Sequence, residues 1–140
     1  MAAGAGNERK SAMRRIWLAA AGLGGFGAVL IGAVTDHIVT GNTQATRLMN
    51  ISSQFAMYHS LGLLALVVLS ERLGGLSGRL IQGAAWLFIA GIILFSGSLV
   101  TLALTPFAAA AYGAPFGGTA FMLGWLCLIG AALKARAWNL

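Results

Sequence analysis

The chain has 140 residues, 59% of them hydrophobic and only 9% charged, with a mean hydropathy of +0.84 and a net charge of +6. A soluble domain carries roughly 25% charged residues, so a water-exposed globule is excluded. A nucleic-acid binder is excluded too, because the arginines and lysines stand in short flanks between long apolar runs instead of along one polar face.

Four runs are candidates to cross a bilayer, whose hydrocarbon of about 30 Å takes ~20 residues of helix. They cover residues 16–34, 53–70, 80–104 and 116–133. Residues 1–12 read as a disordered cytoplasmic tail, and residues 13–140 as one four-helix membrane domain. The first run follows Arg14 and Arg15 and exceeds the ~7–15 apolar residues of a signal peptide, so it reads as an uncleaved anchor. Gly22, Gly24 and Gly27 in it spell a dinucleotide fingerprint. That fingerprint needs a preceding strand and free helix-terminal N–H groups, and neither is expected inside a membrane helix. The same run carries Ala20, Gly24, Ala28 and Gly32 at four-residue intervals, a stripe that lets another backbone approach closely in lipid.

The second run is short by itself. Asn42 can cap a helix starting near Thr43, and Leu48, Ile51, Phe55 and Tyr58 share one face at helical spacing. This predicts a helix that begins in the interface and dives inward. Residues 70–79 are Gly-rich and predict a tight turn. Thr105-Pro106 ends the third helix, and Pro115 suits the first turn of the fourth. Short links make sequential helices antiparallel neighbours. The predicted fold is an all-α integral membrane protein, a four-helix transmembrane up-down bundle.

Arg9, Lys10, Arg14, Arg15, Arg72, Arg79, Lys134 and Arg136 fall at one end of such a bundle and only Arg47 at the other. The positive-inside bias then puts both termini in the cytoplasm, in a bacterial inner membrane.

The few polar residues within the spans are the candidates for function. His59 is about seven residues into the second run, roughly 10 Å deep at ~1.5 Å per residue, and Ser98 is placed at similar depth on the third helix. With Gln54, Tyr58, Ser96 and Thr101, and with Asp36 and His37 at the outer end of the first helix, they predict a polar cluster in the outer half of the bundle. Such a cluster could serve a metal held by Asp36, His37 and His59, a haem between the histidines, or a proton or small-solute path. The structural alternative has His59 as an uncharged side chain tying the second helix to the third through a hydroxyl or carbonyl.

Several classes are excluded. Cys127 is the lone cysteine, so neither an internal disulfide nor a paired-thiol redox site is available. Glu8, Asp36 and Glu71 are terminal or in loops, which removes the embedded carboxylate that small four-helix drug exporters need. No serine–histidine–acid or zinc-protease motif is present.

Gly32-Ala33-x-x-x-His37, Tyr58-His59-Ser60-Leu61, Phe95-Ser96-Gly97-Ser98-Leu99 and Pro115-Phe116-Gly117-Gly118 through Gly124-Trp125 occur in that order. In these segments, over roughly residues 14–135, the chain resembles the bacterial "domain of unknown function 423" family, which is similar to eukaryotic transmembrane protein 256. The family reads Gly-Ala-Phe-Gly-Ala-His where this chain has Gly32-Ala33-Val34-Thr35-Asp36-His37. The resemblance implies a four-helix inner-membrane protein and no established activity. The expected function is a structural or accessory membrane component without catalysis, cofactor or metal, acting as a homo-oligomer or within a membrane complex. Its rival is a small carrier or channel using His59, Tyr58 and Ser98.

Overall fold

In the computed structural model, which describes residues 2–39 and 41–135, each apolar run lies within a longer helical stretch. Helix α1 spans Ala2–Ile38 and α2 spans Thr43–Arg72. The third crossing is composite: α3 (Gly75–Gly91), a π-helical turn (Ile92–Ser96) and α4 (Gly97–Leu104). A 3-10 turn, Ala108–Tyr112, leads into α5 (Gly113–Lys134). Four stretches, Gly6–Thr35, Thr43–Arg72, Gly75–Leu104 and Ala108–Lys134, are long and apolar enough to cross a membrane. No strand occurs among the described residues.

The helices outlast their apolar runs for local reasons. The stretch expected as a disordered tail continues α1 from Ala2. It holds no proline and four alanines, and Arg14 reaches back to the Lys10 carbonyl at 3.4 Å. Asn42 caps α2, its side-chain oxygen accepting from the Ala45 N–H at 3.1 Å. The polar lead-in of α2 is helical because one face of it is buried: Ala45 and Met49 pack with Val39, against Ile31 and Val34 of α1 and Val100 and Ala103 of α4. Gly41, at φ +89°, makes the left-handed turn from α1 into α2.

The hairpin of α2 with α3 and α4 is the middle of the bundle, with α1 packed on α2 and α5 packed on α3. Trp17, Leu63, Leu66, Ile81, Phe88 and Phe121 are buried in its main core. Leu23, Phe26 and Val29 of α1, Leu61 and Val68 of α2, Ile93, and Phe116, Met122, Leu126 and Leu133 of α5 are exposed. So wide an apolar surface is what lipid contact requires, and water would not tolerate it.

Small residues set the helix spacing. A Cβ on Gly24 would fall on the Ser60 hydroxyl, Ser53 donates to the Ala28 carbonyl at 2.7 Å, and Gly32 also faces Ser53. Helix α2 is therefore what covers the Gly24–Ala28–Gly32 stripe; Ala20 lies beside it toward Ile89 and Ile92 of the third crossing. Between the third crossing and α5 the packing is reciprocal: Gly91 lies under the Phe121 ring and Gly124 under the Phe88 ring. A Cβ on Gly117 would strike the Phe95 backbone nitrogen inside the π turn.

Candidate functional site

The residues around His59 come from three crossings. His59 is 5% exposed, and both of its ring nitrogens are engaged. Nδ1 is 2.8 Å from the Phe55 carbonyl of its own helix, and Trp125 of α5 places its indole N–H 3.2 Å from Nε2. A carbonyl only accepts and an indole only donates, so the proton is on Nδ1 and the lone pair on Nε2. The ring stacks on Phe121, centroids 3.5 Å apart and planes 13° off parallel, and meets Phe88 edge-on at 5.0 Å. Phe55 lies beyond at 5.9 Å, in contact with Phe95 at 4.8 Å. The imidazole is thus one ring of an aromatic layer that bridges α2 to α5. This differs from the expected tie to the third helix through a hydroxyl or carbonyl. The donor comes from the fourth crossing and is an indole, because the facing positions of α3 carry Phe88 and Ala84 and offer no side-chain donor.

The level of His59 relative to Ser98 also differs from the expected one. Helix α2 begins at Thr43, so His59 lies near its middle, ~24 Å along the axis at ~1.5 Å per residue. The register pairs His59 with Phe88 and Ser52 with Ser96. Ser98 belongs near Asn50, about nine residues or ~13 Å from His59 toward the N-terminus of α2.

The predicted cluster is accordingly dispersed. Ser98 faces Gly113 at the start of α5. Thr101 bonds to the Gly97 carbonyl at 2.8 Å, within its own helix. Gln54, Tyr58 and His37 are exposed, with Tyr58 at 59%. The backbone of Asp36 belongs to α1, and its side chain lies outside the described residues. His37, in the last turn of α1, is not among the contacts of His59, and no group of three metal-ligating side chains occurs among the described residues.

One predicted residue, Ser96, enters a different pair. Ser52 donates to the Ser96 carbonyl at 3.0 Å, and Ser96 donates to the Ser52 carbonyl at 3.1 Å. Ser96 is the last residue of the π turn, so the pair ties the end of that turn to α2. Sequence reading missed Ser52, Trp125, Phe88 and Phe121. The available signal was Trp125 itself, since an indole within a span must find an acceptor.

Residues 31–118 match the family model described as "Protein of unknown function (DUF423)". The chain belongs to this family. It is 37% identical over 118 residues to the UPF0382 membrane protein YwdK of Bacillus subtilis, covering 84% of this chain and 89% of that one. It is 40% identical over 116 residues to a UPF0382 membrane protein of Staphylococcus aureus, covering 82% and 86%. A UPF0382 membrane protein of Haemophilus influenzae is 33% identical over 127 residues, covering 89% and 99%. No solved structure matches the chain.

As a DUF423 protein the chain is a membrane protein of a family without an assigned activity. The segments that carried the resemblance have packing roles here. Phe95-Ser96-Gly97 ends the π turn and leads into α4, Gly117 lets α5 approach that turn, and Gly124-Trp125 seats Phe88 and bonds His59.

Proposed function

We propose that this DUF423 protein is a non-catalytic architectural component of the bacterial inner membrane, crossing it four times with both termini in the cytoplasm, and working with copies of itself or in a larger membrane complex. One observation carries the reading. Among the described residues His59 is the only ionisable side chain that is buried, and it is spent on structure: both nitrogens are bonded and Phe121 is stacked on the ring. A carrier histidine must release and regain a proton, and a ligand histidine must present a free lone pair. This one does neither without breaking the Trp125 bond.

Two further features support the reading. The hydroxyls of Thr35, Thr101, Thr105 and Thr119 bond carbonyls of their own helices, as expected of polar groups in lipid that line no path. Arg47, Asn50, Gln54 and Tyr58 form an exposed polar stripe along the outer half of α2. Amide and phenol groups turned away from the bundle at such depth favour a protein neighbour over lipid. The orientation rests on the eight-to-one division of positive charge.

The test compares His59→Ala with the natural chain for insertion, melting temperature in mild detergent and size on gel filtration. The architectural reading expects normal insertion with lowered melting temperature and loss of the assembled form. A variant that melts and assembles normally while the cell loses a transport or proton-dependent phenotype would replace it with the carrier reading. Labelling of single cysteines placed in the 70–79 turn and at Tyr112, in a Cys127→Ala background, tests the orientation.

A further inference from the structure

The basic end of the bundle holds a cavity of about 280 Å³ unrelated to the His59 layer. Its wall combines Lys10, Arg14 and Trp17 of α1 with Ser70 of α2, the turn Leu73–Gly75, and Gly78, Arg79 and Gln82 of α3. Three observations there point to the same ligand chemistry. Lys10, Arg14 and Arg79 supply three cations, of which only Arg14 has a described acid partner, Glu71 at 2.7 Å.

Helix α3, secondly, starts at this wall. Its N-cap is Gly74, which offers no side-chain cap, so the N–H groups of Gly75, Leu76 and Ser77 begin the helix without an intrahelical acceptor. The positive end of the helix dipole adds to the cations. Glycine is needed for this turn: Gly75 sits at φ +61°, and a Cβ on Gly78 would come within 2.7 Å of the Leu73 carbonyl.

The third observation is an orphaned donor. Trp17 is 1% exposed, and its indole Nε1–H has no hydrogen-bond partner among the described residues. An indole cannot accept, so nothing but an acceptor satisfies it. Burying such a donor costs stability, and Trp17 is among the residues that line the cavity.

We infer that this cavity is a binding site for a phosphate group, with Lys10 and Arg79 as the principal cations, the α3 N-terminus as the backbone contact and Trp17 as the buried donor. Phosphate oxygens meet all three needs at once: negative charge, several acceptors, and affinity for helix-terminal amides. The bundle's basic end places the cavity at headgroup level, where anionic phospholipids concentrate phosphate. A soluble phosphate compound presents the same chemistry. The site is independent of the role of His59.

The experiment uses the full chain in detergent, titrated with short-chain phosphatidylglycerol, short-chain phosphatidylcholine and inorganic phosphate, and read by native mass spectrometry and melting temperature. The lipid source predicts that phosphatidylglycerol binds at least tenfold tighter than phosphatidylcholine, with inorganic phosphate competing weakly. The soluble source predicts that inorganic phosphate binds and raises the melting temperature while neither lipid is retained. In both cases K10Q/R79Q lowers binding about tenfold, whereas R47Q, at the opposite end, leaves it unchanged. Trp17→Phe keeps the packing, removes the donor and weakens binding several-fold. If K10Q/R79Q fails to fold, W17F carries the test, since the ring is retained. Equal retention of both lipids with no phosphate binding overturns the assignment, as does phosphatidylglycerol binding that R47Q weakens as much as K10Q/R79Q.

Discussion

Trp125 and His59 are 66 residues apart in the chain and meet at 3.2 Å, indole N–H to imidazole Nε2. No contact between the α2 and α5 backbones is needed for this, because two rings span the gap and Phe121 and Phe88 fill what remains. The pair therefore fixes the rotation of α5 about its own axis, which apolar packing alone would leave loosely specified.

Removing the donor and removing the acceptor have different consequences. Trp125→Phe leaves Nε2 buried and unpaired, and interhelical hydrogen bonds in membranes are worth about 0.6 kcal/mol on average, up to roughly 1.7. A loss of ~1 kcal/mol is expected. His59→Ala also opens a void between Phe88 and Phe121 and should cost about 3 kcal/mol. In the double variant the bond is lost only once, so the two losses should fall short of additivity by ~1 kcal/mol. Equilibrium unfolding in mixed micelles measures this, and strict additivity would show that the pair is not coupled.

Gly117→Ala tests the approach of α5 to the π turn. The new methyl group meets the Phe95 backbone nitrogen, and backbone cannot yield as a side-chain tip can. Overpacking typically costs about 1–3 kcal/mol, and the rigid neighbour puts this case at the upper end. Gly118→Ala is the control, since a Cβ there meets only the Phe95 ring edge at 3.8 Å. Melting temperatures should order natural, Gly118→Ala, then Gly117→Ala well below.

The reciprocal serines make a similar cycle. Ser52→Ala removes one donor, and so does Ser96→Ala, but the two carbonyls remain paired differently in each. Each single change should cost about 0.5–1.5 kcal/mol. The double change restores local symmetry and should cost less than their sum. Amide exchange at residues 92–97 in the same variants should rise, because the π turn loses the contacts that hold its widened backbone.

The number of crossings, their order and the charged ends were all legible in the sequence, because hydropathy reports average surroundings over some twenty residues. The start of α2 was partly legible: Asn42 announces its cap, but the lead-in through Ser52 and Ser53 lowers local hydropathy although both hydroxyls bond carbonyls of neighbouring helices. Counting residues from the apolar run paired His59 with Ser98, whereas the helix register sets His59 beside Phe88. The π turn had no signature, since Ile92–Phe95 reads as ordinary apolar helix. The partner of His59 was hidden for another reason. It depends on the rotation of α5, whose apolar residues surround the helix and name no preferred face.

The contact between α1 and α2 yields a prediction that reverses the usual sign. Ser60 is 2% exposed and its hydroxyl has no partner among the described residues, so it is a buried polar group without compensation there. Deleting an unpaired hydroxyl removes a desolvation penalty, at the cost of one small atom's packing. Ser60→Ala is therefore expected to be neutral or stabilising by up to about 1 kcal/mol. Gly24→Ala should destabilise by ~1–2 kcal/mol, because its methyl group lands on that hydroxyl. Combining the two gives the new methyl group the space the hydroxyl vacates, so the double variant should recover most of the loss. Unfolding measurements on the four proteins decide it. Should Gly24→Ala cost the same with and without the Ser60 hydroxyl, the spacing of α1 on α2 is set by other residues of the stripe, Ala28 and Gly32 first among them.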